Sequence, residues 1–127
     1  MKPLLEIVKL NQTRYGLDFN GPKAIEKLHE EIIEELAPAI LSNDVEEIVD
    51  ALADTVVISV GELTKLKYNP ELVLKQTVKE ISSRQQDPEQ AKAWAAGNRQ
   101  PGEKWNKDRS QDPSTLYIAD YSTCKFK

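Results

Sequence analysis

The chain has 127 residues, which suits one domain, and its 39% hydrophobic and 30% charged residues are typical of a globular fold with a modest core. A net charge of −4 argues against a general nucleic-acid binder, because such proteins are usually basic. The most apolar window, Val45–Val60, contains four acidic residues, so we expect no membrane-spanning helix and no membrane partner.

The cysteine content and the first residues bear on the compartment. A single cysteine, Cys124, excludes an intramolecular disulfide framework and a multi-cysteine zinc site. Glu6 stands where a signal peptide carries an apolar run, so secretion is not expected. Both observations favour a reducing cytoplasm.

Prolines, glycines and capping residues divide the chain into predicted helices. Gly16 ends the first helix, Pro22 opens the second, and Pro38 is expected to kink or end that second helix because proline lacks an amide hydrogen. Asp44 and Asn69 stand in capping positions before the third and fourth helices. The predicted helices cover residues 4–15, 22–36, 45–66 and 70–83, with a short fifth helix from 88 to just before 97.

This pattern predicts an all-α bundle of four to five helices, without a convincing strand in the first 97 residues. We expect residues 1–97 to form the domain. Pro101, Gly102 and Pro113 interrupt the rest, so residues 98–127 are expected to form an irregular tail that packs on the bundle or on a neighbouring subunit.

The second predicted helix has one apolar face and one acidic face. Its core-facing row consists of Ile25, Leu28, Ile32, Leu36 and Ile40. Four glutamates, Glu30, Glu31, Glu34 and Glu35, follow one another around the other side, where like charges repel. For a single acidic helix, a solvated face is the usual explanation.

A solvated face does not explain the acids of the third predicted helix as well. This helix is apolar around most of its circumference, and such helices are normally buried. Its acids form one narrow stripe: Glu46, Glu47, Asp50 and Asp54. Capping by Asp44 and the helix dipole account for the first two acids but not for Asp50 and Asp54. A buried carboxylate must be paired, protonated or bound to a metal, and no lysine or arginine stands between Lys27 and Lys65.

Divalent cations resolve this accumulation of acid. Acids three residues apart share a helix face, so Glu31 with Glu34 and Glu47 with Asp50 can each point into one gap. The short connection between the helices favours antiparallel neighbours, which brings the two pairs together. The sequence therefore predicts a cage for Mg²⁺ or Mn²⁺, the ions that prefer carboxylate oxygen. The helical wheel equally allows Glu35 as a ligand.

The run Leu28-x-Glu30-Glu31-x-x-Glu34, followed after 12 residues by Glu47-x-x-Asp50, resembles the EExxE…ExxD signature of the MazG-like all-α NTP pyrophosphatases. The resemblance spans roughly residues 5 to 84 and departs from the family pattern at Pro38. It implies hydrolysis of a nucleoside triphosphate to a monophosphate and pyrophosphate.

The resemblance also implies roles for individual residues. Two or three Mg²⁺ or Mn²⁺ ions would be held by Glu31, Glu34, Glu47 and Asp50. A proton from the attacking water would pass to Glu30 or Glu34. Asp54, with Glu35, would orient a ligand or a water on the metal.

Basic and aromatic residues are candidates for contacts to the nucleotide. The phosphate candidates are Lys75, Lys79 and Arg84 on the fourth helix, with Lys23 and Arg14 behind them. The candidates for stacking on a base are Trp94, Trp105, Tyr117 and Tyr121, for which anchoring of the tail is the commoner role. Asn11 and Asn20 are candidate contacts to base or sugar.

The leading hypothesis is thus a metal-dependent pyrophosphohydrolase that acts on (d)NTPs, including purine dNTPs such as dGTP or dATP as in the phage MazZ type, and that assembles as a homodimer or homotetramer. A phage-encoded protein would act in the host cytoplasm. Two alternatives remain open: a non-catalytic helical interaction module that binds a basic partner, and a phosphoribosyl-ATP pyrophosphohydrolase.

Overall fold

The computed structural model describes residues 2–13, 18–84, 88–89, 92, 96–97 and 111–127. The chain forms two compact units, residues 1–71 with 124–127 and residues 72–123. The predicted all-α fold is confirmed: among the described residues the extended pairing is limited to one isolated bridge, between Tyr68 and Lys125. The domain boundary predicted after residue 97 stays a prediction, because the adjoining residues 98–110 lie outside the described part of the chain.

Five α-helices are described in chain order, with a π-helical segment between the second and third. The elements are α1 (Lys2–Thr13), α2 (Gly21–His29), the π-helix (Glu30–Leu36), α3 (Ala37–Leu41), α4 (Val45–Lys65), α5 (Pro70–Ser83) and a 3₁₀ turn (Pro113–Thr115). Pro70 and Glu71 belong to the first unit and the rest of α5 to the second. None of these helices combines the length and the apolar character needed to cross a bilayer.

Capping side chains set the starts of the helices. Asn20 Oδ1 accepts a hydrogen bond from the Lys23 amide (3.1 Å), and Asp44 Oδ1 accepts one from the Glu47 amide (3.3 Å). Each satisfies an amide that has no partner within its own helix. Asn69 Oδ1 likewise accepts from the Glu71 amide (3.1 Å) at the start of α5. The predicted starts of α4 and α5 are therefore confirmed.

Pro38 does not end the second predicted helix, which continues through the π-helix and α3 to Leu41. Proline cannot donate to the carbonyl of Glu34 four residues earlier, and its ring crowds that carbonyl. The preceding turn is wider, with the Ala37 amide donating to the Ile32 carbonyl five residues back.

The core of the first unit lies between α1 and α4. Leu4 and Val8 pack with Val60, and Ile7 and Phe126 cover them. The last residues of the chain are held to the segment after α4, because the Asn69 amide donates to the Cys124 carbonyl (2.7 Å) and the Phe126 amide to the Lys67 carbonyl (3.0 Å).

The expectation that α4 is buried around most of its circumference is wrong for the single chain. Four of its residues form an exposed row, which we call the apolar stripe: Val45, Val49, Leu52 and Val56, exposed by 64%, 61%, 50% and 59%. Asp50 is exposed as well. The pattern that predicted a buried helix marks a surface that another apolar surface can cover.

In the second unit, residues 111–121 run along α5. Tyr117 Oη donates to Gln76 Oε1, the Ala119 amide to Glu80 Oε1 (3.1 Å), and Gln111 Nε2 to the Ser83 carbonyl (2.7 Å). The hydroxyl of Tyr121 lies 2.9 Å from Thr77 Oγ1. Tyr117 and Tyr121 therefore anchor this segment to α5. Trp94 and Trp105 lie outside the described residues.

Candidate metal centre

Three carboxyl groups come together where the π-helix packs against α4. Glu31 and Glu35 lie four residues apart on the π-helix and Asp54 lies on α4, with one oxygen of each within 4.8 Å of the others. We call these residues the acidic cluster. Residues four apart share a helix face, so Glu35 pairs with Glu31 as the helical wheel allowed.

Glu31 occupies the most constrained position in the acidic cluster. Its Oε2 atom is fully buried and has no hydrogen-bond partner among the described residues. Burial raises the pKa of Glu31 to about 7; the neighbouring Glu35 carboxyl group adds to this by hydrogen bonding and by charge, and Asp54 and Glu30 by charge. Near neutral pH this side chain therefore sits at the balance between its neutral and ionised forms.

The donor set suits a hard divalent cation. Around a Mg²⁺ ion at about 2.0–2.1 Å, the ligand oxygens of an octahedral shell lie roughly 3–4 Å apart. The oxygens of the acidic cluster, one from each residue, all lie within 4.8 Å of one another, which is close to that spacing. A cation there would also give the buried Glu31 oxygen the partner that the described residues do not supply.

Next to the acidic cluster lies an open groove of about 520 Å³, which we call the acidic groove. Its acidic lining residues are Glu34, Glu35, Asp44, Glu47 and Asp50, and Pro38, Ala39 and Ser42 complete it. Asp44 lies here because it caps α4, a position the sequence analysis assigned to capping alone.

The four residues predicted as ligands are thus divided between two neighbouring places. Glu31 lies in the acidic cluster, whereas Glu34, Glu47 and Asp50 line the acidic groove. Glu35, which belongs to both, joins them. Asp54, predicted to orient a ligand, contributes an oxygen to the acidic cluster instead. The assignment of each residue as a ligand stays a prediction.

The two candidate proton acceptors, Glu30 and Glu34, are both exposed to solvent. Glu34 faces the acidic groove, and the charge of Glu30 contributes to the raised pKa of Glu31. Either carboxylate is therefore accessible to a water molecule.

The three predicted phosphate contacts on α5 lie in the second unit, where two of them have the following partners. Arg84 Nη2 lies 3.3 Å from Glu80 Oε2, and Lys79 Nζ lies 4.2 Å from the centre of the Tyr117 ring. Lys75 is exposed on α5. Lys23 is exposed at the start of α2, and Arg14 lies outside the described residues. Their role toward phosphate stays a prediction.

Sequence reasoning missed a cavity of about 230 Å³ in the first unit. Its polar lining residues are Asn11, Lys27, Glu62 and Lys65, and Val57, Ile58 and Gly61 form its floor. One signal was present in the sequence, because Asn11 continues the apolar row of Leu4 and Val8 on α1 and is buried with them. A polar side chain in a core-facing row needs a polar partner or a ligand.

No protein family, no curated protein and no solved structure matches this chain.

Proposed function

We propose that the protein is a metal-dependent nucleotide pyrophosphohydrolase that cleaves (d)NTPs to (d)NMPs and pyrophosphate. One observation carries the proposal: Glu31, which has one buried oxygen without a partner among the described residues, lies together with two further carboxyl groups at the contact between the π-helix and α4. The motif spacing that resembles the MazG-like family falls on these helices. A non-catalytic module would gain nothing from carboxylates that repel one another around a buried oxygen.

In this proposal the acidic cluster of Glu31, Glu35 and Asp54 would hold a first Mg²⁺ or Mn²⁺ ion. Glu34, Glu47 and Asp50 in the acidic groove would hold one or two more, for a total of two or three. Such ions would neutralise the triphosphate and activate a water molecule for in-line attack.

The side chains themselves have three tasks. Glu31 must give up its proton to bind a cation, so its raised pKa makes cation affinity rise with pH up to about pH 7. Glu34, exposed in the acidic groove, accepts the proton of the attacking water, with Glu30 as the second candidate. Asp54 would supply the ligand from α4 to a cation that Glu31 and Glu35 bind from the π-helix.

We further propose that a second copy of the chain covers the apolar stripe in a homodimer or homotetramer. The stripe residues repeat at intervals of four, three and four, which is the spacing of a helix-to-helix seam. A row of half-exposed valine and leucine side chains on one face favours association.

A pyrophosphate-release screen tests the proposal. All common NTPs and dNTPs, together with phosphoribosyl-ATP, are incubated with the protein and Mg²⁺, Mn²⁺ or EDTA. We expect release from at least one dNTP only with a divalent ion, and its loss in Asp50→Asn with unchanged circular dichroism. Release from phosphoribosyl-ATP alone would assign the second enzyme class. No turnover with any substrate would refute catalysis and favour a binding module.

A further inference from the structure

The cavity that the sequence analysis missed, which we call the lysine cavity, is built by three helices of the first unit. Asn11 comes from α1, Lys27 from α2, and Glu62 and Lys65 from α4. Asn11 on α1 approaches the backbone of α4 closely here, because a Cβ atom added at Gly61 would lie 2.7 Å from Asn11 Oδ1. The Asn11 amide nitrogen donates to the Ile7 carbonyl (3.0 Å) and is thereby fixed in orientation.

Positive charge exceeds negative charge in the lysine cavity. Lys65 Nζ lies 3.4 Å from Glu62 Oε1, and both side chains are nearly buried, with 12% and 13% exposed. Lys27 adds a second amine. Its pKa is lowered first by hydrogen bonding with Lys65, then by partial burial and by the Lys65 charge, whereas Glu62 opposes the shift. Glu62 is thus the single carboxylate among the lining residues beside two amines, an arrangement that an anion relieves.

A second cavity continues this positive surface. It has a volume of about 250 Å³ and shares Asn11 and Lys65 with the lysine cavity. Lys67 and Lys127 also line it, beside Phe126. Lys67 Nζ lies 3.5 Å from Asp18 Oδ1, an exposed pair that costs little to rearrange.

The lysine cavity lies one helical turn from the acidic cluster on both supporting helices. Lys27 precedes Glu31 by four residues, and Ile58 follows Asp54 by four residues. Four residues of α-helix span about 6 Å along the axis, which is comparable to the distance between the first and third phosphorus atoms of a triphosphate. One phosphate chain can therefore reach the carboxylates through cations and the amines directly.

We propose that the lysine cavity binds a phosphate group through Lys27, Lys65 and the Asn11 amide. Lysine ammonium groups serve as point charges for phosphate, and Val57 and Ile58 add apolar side chains to the lining of the cavity. The identity of the bound group rests on the proposed function. In that case it is one phosphate of a nucleotide, and the other phosphates of the same nucleotide lie at the acidic cluster.

Binding of inorganic pyrophosphate to the full-length protein in EDTA, measured by calorimetry and ³¹P NMR, tests this site without metal or turnover. We expect Lys27→Met to weaken binding about tenfold or more, because it removes a charged hydrogen-bond donor. Lys9→Met, which removes an exposed lysine of α1, is the matched control and should leave binding unchanged. Glu62→Gln should strengthen binding, because it removes the carboxylate that competes for Lys65.

Two outcomes overturn the site: no pyrophosphate binding by the wild-type protein at millimolar concentration, or equal affinity in Lys27→Met and wild type. Circular dichroism of each variant separates loss of the site from loss of the fold. Lys27 is exposed, so its replacement is expected to leave the fold intact. Pyrophosphate binding that depends on Lys27 in a protein that hydrolyses no nucleotide would uphold the site and refute the proposed function.

Discussion

Replacement of Glu31 by glutamine removes a charge without changing the size of the side chain. In the folded protein burial and the neighbouring carboxyl groups raise the pKa of Glu31 to about 7, against an ordinary value of 4.5. Between these two pH values the folded state keeps a proton that the unfolded state has lost. The free energy of unfolding of the metal-free protein should therefore fall as pH rises through this window and level off above about pH 7.

The size of the effect follows from the same two values. Each unit of difference between the folded and unfolded pKa corresponds to about 1.4 kcal/mol of unfolding free energy. The shift of Glu31 from 4.5 to about 7 therefore changes the free energy of unfolding by at most about 3 kcal/mol. Glu35 is exposed, so solvent screens part of the repulsion and we expect about 1–2 kcal/mol. Glu31→Gln should be more stable than wild type by that amount at pH 8, and the difference should vanish toward pH 4.5.

Urea denaturation between pH 4.5 and pH 8, with EDTA or with Mn²⁺, measures both effects. Mn²⁺ should stabilise the wild-type protein, by about 2.7 kcal/mol at one hundred times its dissociation constant, and should stabilise Glu31→Gln much less. Glu6→Gln, at an exposed glutamate of α1, is the control and should behave like wild type. The reasoning is refuted if Glu31→Gln is less stable than wild type at pH 8 or if Mn²⁺ stabilises both proteins equally.

Asp54→Asn should weaken the first Mn²⁺ binding step about tenfold or more in calorimetry. Glu34→Gln should retain that binding step and lose pyrophosphate release. If Glu34→Gln weakened the first step and Asp54→Asn did not, the first ion would belong in the acidic groove. Gly61→Ala should lower the free energy of unfolding by about 1–3 kcal/mol, because the added methyl group meets the buried Asn11 amide. In an Asn11→Ala background the same change should cost less, and additive effects in this double-mutant cycle would contradict the contact. Leu52→Glu should convert the assembly to monomers in light scattering after size-exclusion chromatography, and a wild-type protein that is itself monomeric would disprove the proposed covering of the apolar stripe.

The helix starts could be predicted because their signals are local. Asp44 and Asn69 each cap the turn that follows, and Pro70 stands where its missing amide has no cost. A few neighbouring residues decide such positions. The sequence therefore predicted the starts of α4 and α5 closely.

The composition of the acidic cluster was only partly accessible from the sequence. An ideal helical wheel allows either Glu34 or Glu35 beside Glu31, and the structure places Glu35 there with Asp54. Proline was expected to interrupt the helix, but whether it ends the helix or widens the preceding turn depends on packing against α4. The run of glutamates allowed either register.

The exposure of the apolar stripe and the assembly of the lysine cavity depend on tertiary contacts, which residue patterns did not predict. The apolar stripe has the same residue pattern whether the chain itself or a second copy covers it, so periodicity alone predicted a buried helix. The lysine cavity joins Asn11, Lys27 and Lys65, which are far apart in the sequence and carry no common motif.

A crystal grown with Mn²⁺ and a non-hydrolysable dNTP analogue, with anomalous data collected at the manganese edge, tests the central claim most directly. We predict an anomalous peak about 2.2 Å from carboxylate oxygens of Glu31 and Asp54, with Glu35 completing the set. An acidic cluster without manganese, with Glu31 unliganded, would contradict this prediction.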